Sequence, residues 1–165
     1  MNSRLHTSSE RGYALLEALV ALLVISIGLL GFLRLQLLGM SATTTSTQRS
    51  KAVYLSYEMT DRMRANLPAY AAGAYNSLVA SPSNPGCVST NCSSTQIAQN
   101  DYYEWSNEVS ALLPQGYGAV CLTSTLLASA TPAAPGCDGA GNRYAIIVWW
   151  TENGQQQKLI TSFLP

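Results

Sequence analysis

Glu17 is the residue of this chain that most needs a chemical reason. It stands in an apolar run that reaches Leu33 and, from Ala18 onward, holds no charged residue and no proline. A carboxylate at the centre of a bilayer costs about 2.5–3.5 kcal/mol on insertion scales, so a partner or a task is expected for it. Tyr13 lies four residues earlier, directly after Gly12. Cys87, Cys92, Cys121 and Cys137 form the second group with chemistry in it. Four cysteines allow three pairings, of which Cys87–Cys92 with Cys121–Cys137 is the most local. A zinc site is the rival, but its usual spacing suits only Cys87 and Cys92. The one histidine, His6, is far from all four in sequence. Two disulfides are therefore predicted, and no metal.

Asp101, Glu104 and Glu108 form the third group, three acids at helical spacing. Paired carboxylates can do acid–base work, but no metal motif or histidine accompanies these. A solvated helix face is predicted. No glycine-rich phosphate loop, nucleophile elbow or metal-binding histidine pair occurs, so no enzyme and no cofactor are expected. Charged residues are 11% of the chain and the formal net charge is zero, with no basic run to hold nucleic acid.

The elements that must position these residues begin with the apolar run. With Tyr13 to Glu17 added, it reaches the roughly 20 residues that a helix needs to cross a bilayer. The leader before it, Met1 to Gly12, carries Arg4, His6, Glu10 and Arg11 and has no apolar stretch. Positive charge stays inside, so the leader is expected in the cytoplasm and the cysteines in the oxidising periplasm. After Arg34 the pattern turns amphipathic through Leu35, Leu38 and Ala42, weakens at Thr43 to Thr47, then resumes at Ala52, Leu55, Met59 and Met63. One helix is predicted from Ala14 to about Asn66, with Thr43 to Thr47 a possible bend or loop; Glu58 and Arg62 make an i,i+4 pair on it. Pro68 ends it.

A small-residue loop is expected from Ala69 to Gly86, then a second helix capped by Ser93 or Ser94. Ile97, Asp101, Trp105, Glu108 and Leu112 mark one face of that helix, beside Ala98, Val109 and Leu113. Leu113-Pro114-Gln115-Gly116 stops it. Tyr117 to Leu126 reads as a strand with Val120, Leu122 and Leu126 inward, followed by a loop to Asn142 tied at Cys137. Tyr144 to Trp150 is the strongest strand, and Asn153-Gly154 signals a hairpin to a partner from Gln157 to Phe163. Trp149 and Trp150 face opposite ways, one toward the first helix and the other toward a surface or an edge. The expected fold is α+β, a long N-terminal helix packed on a small antiparallel sheet with disulfide-tied loops.

The stretch Gly12-Tyr13-Ala14-Leu15-Leu16-Glu17 resembles the class III signal of type IV prepilins. Asp61-Arg62-Met63-Arg64-Ala65-Asn66 is similar to a stretch of PilV-type minor pilins, and so is Asp101 with Trp105 before Leu113-Pro114. The resemblance covers nearly the whole chain; Tyr13 departs from it, since phenylalanine is usual there. It implies a pilin-like fold and cleavage between Gly12 and Tyr13 by prepilin peptidase. It also implies N-methylation of Tyr13 and pairing of Glu17 with the α-amine of a neighbouring subunit. The implied organisation is a leader over 1–12, a transmembrane and filament-core helix over 13–34, an amphipathic half over 35–67 and a periplasmic domain over 68–165. The implied function is a minor pilin that primes pilus assembly near the tip. Its expected partners are other minor pilins, the major pilin and a tip adhesin, and it rests in the inner membrane before joining a surface pilus. A minor pseudopilin of type II secretion is the alternative. A DNA-uptake pilin needs a basic stripe, and beyond Arg64 only Arg143 and Lys158 are basic.

Overall fold

The computed structural model describes residues 10–79, 83–125 and 127–164, with side chains from residue 13 onward. Arg4 and His6 of the leader lie outside these residues, as does Leu126, and Gly12 enters only as backbone. Helix α1 runs Glu10–Ala65. The chain divides after Thr44 into two compact units, and α1 contributes to both.

Among the described residues the first unit consists of α1, and its side chains from Tyr13 to Thr44 are all exposed. It is long and apolar enough to cross a membrane. The threonines predicted to weaken α1 do not interrupt it. The hydroxyls of Thr43 and Thr44 donate to the carbonyls of Gly39 and Met40, at 2.9 and 3.0 Å, one turn back in the same helix. A hydroxyl satisfied in this way does not compete for a non-helical conformation.

The second unit is built around the predicted stripe of α1. Ala52, Leu55, Met59 and Met63 are fully buried. Each of the three larger side chains contributes about 1.5–3 kcal/mol of apolar burial. Pro68 does not simply stop the chain: it sits in the first turn of a short helix, α2 (Leu67–Ala71), where its missing N–H is not needed. The expected loop from Ala69 thus starts as helix, and Leu78 later bridges to Val120. Helix α3 (Ser94–Leu112) begins at a capping box, Ser93 with Gln96. Its buried stripe is Ala98, Tyr102, Trp105 and Val109. Ile97, predicted on the marked face, is exposed.

Strands β1 (Tyr117–Leu122), β2 (Tyr144–Glu152) and β3 (Gln155–Phe163) form an antiparallel sheet in that order. β1 is shorter than predicted, because the chain turns at Thr123, where its N–H goes to the carbonyl of Arg143. The turn at Asn153-Gly154 has φ of +50° and +77°, the type I′ geometry that matches strand twist. Successive residues of β2 serve two cores. Tyr144, Ile146, Val148 and Trp150 pack with α1 and α3. Ala145, Ile147 and Trp149 pack with Ala119, Cys121, Leu127 and Ala130. Neither tryptophan is therefore a surface residue: the loop after β1 covers the far face of the sheet, and Trp149 donates to the carbonyl of Ala130. The architecture is α+β, with two disulfides, as the sequence predicts.

Candidate functional site

The apolar stretch of α1 presents Tyr13 and Glu17 one helical turn apart, both exposed. Leu16, Leu19, Val20 and Leu23 surround them on the helix and are exposed too. Glu17 takes part in none of the ion pairs among the described residues. A bare apolar helix with one acid near its start can enter lipid, or pack against other helices if that acid meets a cation.

The cysteines lie in the second unit. Cys87 is bridged to Cys92 and Cys121 to Cys137, with Cα separations of 5.5 and 6.0 Å. The first bridge closes a turn in which Thr90 Oγ1 donates to the carbonyl of Gly86, and the turn delivers Ser93 to the start of α3. The second fastens the loop that covers Trp149.

Between α1 and α3 the structure joins residues that the sequence left apart. The guanidinium of Arg62 donates from Nε and Nη2 to Glu58 Oε1, at 3.0 and 2.9 Å, and from Nη1 to Glu104 Oε2 at 2.8 Å. Asp101 lies 3.7 Å from the same Nη1. Tyr75 donates its hydroxyl to Asp101 at 2.5 Å. The acids of α3 are thus not a solvated face: Asp101 and Glu108 are half-buried, and only Glu104 is exposed. Burial lifts the Asp101 carboxyl above its ordinary range, against the pull of Tyr75 and Arg62. Glu104 is held below its ordinary range by the hydrogen bond from Arg62 and then by Asn100. Burial tends to lower Arg62, yet its hydrogen bonds to Glu104 and Glu58 outweigh that and raise it.

Neutral hydrogen bonds complete the seam, beside Lys51, whose Nζ donates to the carbonyl of Leu112 at 3.4 Å. Trp105 Nε1 donates to the carbonyl of Leu55 at 2.7 Å. Tyr102 donates to the carbonyl of Gly118 at 2.8 Å. Asn66 caps α2 and donates to the carbonyl of Ser94 at 2.8 Å. The sequence reading missed Tyr102, although its spacing to Ala98 and Trp105 carries the signal. It also missed Tyr75, which lies in a turn and has no periodicity to reveal it. Among the described residues no group of His, Cys, Asp and Glu is placed to hold a metal. The network can fix two helices against each other, with Arg62 and Tyr75 holding Glu58, Asp101 and Glu104.

Residues 34–103 match a family model described as Type IV pilin Tt1218. The match supports a type IV pilin. It spans under half of the chain but takes in Arg62, Asn66, Tyr75 and Asp101, so most of the seam lies inside it. A pilin is a structural subunit that assembles with other pilins, and the apolar helix is consistent with membrane anchoring and a pilus. No curated protein and no solved structure matches the chain.

Proposed function

We propose that this chain is a minor pilin of a type IV pilus, acting as a structural subunit and not as an enzyme. The observation that carries the reading is the exposed apolar stretch of α1 over 13–44, with Glu17 as its one acid, in a chain whose next stretch matches a pilin family. In this reading prepilin peptidase cuts between Gly12 and Tyr13, and Tyr13 becomes the N-methylated first residue. Residues 13–34 hold the subunit in the inner membrane with the rest in the periplasm, then pass into the filament core. There Glu17 meets the α-amine of a neighbour. In an apolar core that pair is weakly screened, and removing one partner of a buried pair costs about 3–5 kcal/mol, enough to dictate register. The subunit primes assembly near the tip with other minor pilins, the major pilin and a tip adhesin.

The test separates assembly from folding. Glu17→Ala is expected to be cut normally, to accumulate in the inner membrane, and to be depleted at least about tenfold from sheared pili. Glu17→Asp keeps the charge with a shorter reach and should be intermediate. Entry of Glu17→Ala into pili at the wild-type level would end the pairing role. Mass spectrometry of pili should find Tyr13 at the N-terminus, and Met1 on filament protein would contradict the processing step.

A further inference from the structure

The two edges of the sheet are finished differently. β1 is covered: Leu78 and Val120 exchange N–H to carbonyl bonds, both at 2.9 Å, and Leu122 N–H donates to Asn76 Oδ1 at 3.0 Å. β3 forms the other edge, with β2 on one side and no strand on the other. Its ladder to β2 runs unbroken from Tyr144 opposite Phe163 to Glu152 opposite Gln155. Among the described residues no backbone group of β3 bonds outside that ladder. A bare edge invites pairing with another chain, and folded proteins usually blunt it with charge, proline, a bulge or a short strand. β3 is nine residues long, with no proline and no bulge. Its one charged residue, Lys158, is spent on the loop over the far face, where the ammonium donates to the carbonyls of Leu127 and Ala130 at 3.3 and 3.0 Å.

Helix α1 flanks this edge. Arg49 pairs with Glu152 at 3.2 Å, Ser56 donates to the hydroxyl of Thr161, and the Arg64 guanidinium lies 5.2 Å from the centre of the Phe163 ring. These three recur about every two turns, so they mark the stripe of α1 that meets the β2–β3 hairpin. Val53 and Tyr57 lie on the same stripe, between Arg49 and Arg64, yet they are 41% and 61% exposed. The helix flank and the strand edge thus form two walls of an open groove. The cations at its ends are already matched, Arg49 by Glu152 and Arg64 by Asp61. What the groove offers is unpaired backbone and apolar side chain.

We propose that this groove takes an extended, uncharged segment of a partner protein as a fourth strand of the sheet. Main-chain hydrogen bonds to β3 supply the affinity, and alternate side chains of the guest supply the selectivity. Those on the α1 side meet Val53 and Tyr57, so they are apolar. A charged side chain there would lose water and find each nearby counter-ion already paired. A second copy of this chain suits the groove less well. The usual two-fold pairing of an edge strand with itself is antiparallel, about an axis through the sheet. The α1 helices, each packed on the same face, would then run in opposite directions. Two helices that enter one bilayer from the same side do not allow that. The groove lies wholly in the second unit and does not depend on where the subunit sits in a pilus.

The test is calorimetry of the full chain in detergent, with an end-capped peptide of alternating threonine and valine as the probe. The peptide should bind, and glutamate in place of its valines should weaken it at least about tenfold. A strand sends successive N–H groups to opposite edges. N-methylation of one alternate set of peptide amides should therefore weaken binding at least about tenfold, and methylation of the other set should leave it unchanged. Tyr57→Ser and Val53→Ser should each weaken the peptide at least about threefold with an unchanged melting temperature, and either folded variant carries this arm. Bound peptide should also slow amide exchange in β3. The proposal is overturned if the peptide does not bind, if the glutamate peptide binds as well, if the two methylated sets act alike, or if folded variants bind like the wild type. Slower β3 exchange at higher protein concentration without peptide would make a second copy the guest, and would overturn it too.

Discussion

Arg62 is one cation among four acids, and this imbalance governs how single substitutions in the seam will behave. Glu58 accepts both hydrogen bonds from Arg62 on Oε1, and its Oε2 is buried with no partner among the described residues. Glu108 reaches toward Glu58 from α3, and its carboxyl is held above the ordinary 4.5 by burial first and by the charge of Glu58 second. A raised value means that the folded chain binds this proton more tightly than the unfolded one. That stabilisation is fully present below about 4.5 and is lost as pH rises through the folded value. Glu104 runs the other way: its contribution is present above about 4.5 and is lost as pH falls through its lowered folded value. Glu108→Gln removes the repulsion and offers an N–H to Glu58 Oε2. It should raise stability at about pH 7 by about 0.5–1 kcal/mol, with the gain shrinking toward about pH 4. Thermal melts at the two pH values check this, and an equal gain at both would refute the pairing. Arg62→Met leaves Glu58, Asp101 and Glu104 without their cation. The expected cost is about 1–3 kcal/mol, less than for a fully buried pair because a quarter of the Arg62 side chain remains in water. Hydrogen exchange in α3 should report it as faster opening.

At the scale of elements, α3 and β1 meet at a position where no side chain fits. A Cβ on Gly118 would stand 2.4 and 2.5 Å from two ring carbons of Trp105. The ring cannot swing aside without releasing its hydrogen bond to Leu55. Gly118→Ala should therefore cost about 1–3 kcal/mol, seen as a lower melting temperature of the folded chain. Elements with a strong local period were legible in the sequence: the Ala52–Met63 stripe, the β2 run and the Asn153-Gly154 turn. What could not be read depends on partners distant in the chain. The Thr43–Thr44 hydroxyls could compete with the helix or serve it, and only the i−4 carbonyls decide. The sequence puts one of Trp149 and Trp150 at a surface or an edge, because the loop that covers Trp149 shows no period. Asp101 and Glu108 read as solvated in the sequence because the α1 residues that cover them, Arg62 and Glu58, lie on another helix. Cysteine spacing alone leaves three pairings open.

For the whole second unit, the two cores differ in what closes them. One is held by helices and sheet, the other by a loop tied through Cys121–Cys137, 16 residues apart. A loop of that length contributes about 3 kcal/mol in the chain-entropy account. Cys137→Ser should lower stability by about that much and make residues 127–142 the first protease target. Cys87→Ser, which opens a bridge five residues apart, should cost less. Equal losses would argue against a separate role for the second loop. The same partition gives the molecule an optical readout of its own assembly. Trp105 and Trp150 sit in one core, while Trp149 shares the other with Cys121. Reduction frees the loop that covers Trp149, so the emission of Trp149 should shift to the red as water reaches it. The other two indoles should keep their blue emission until the helices separate. A freshly made chain would then report, by the colour of its own light, whether its far face has been sealed.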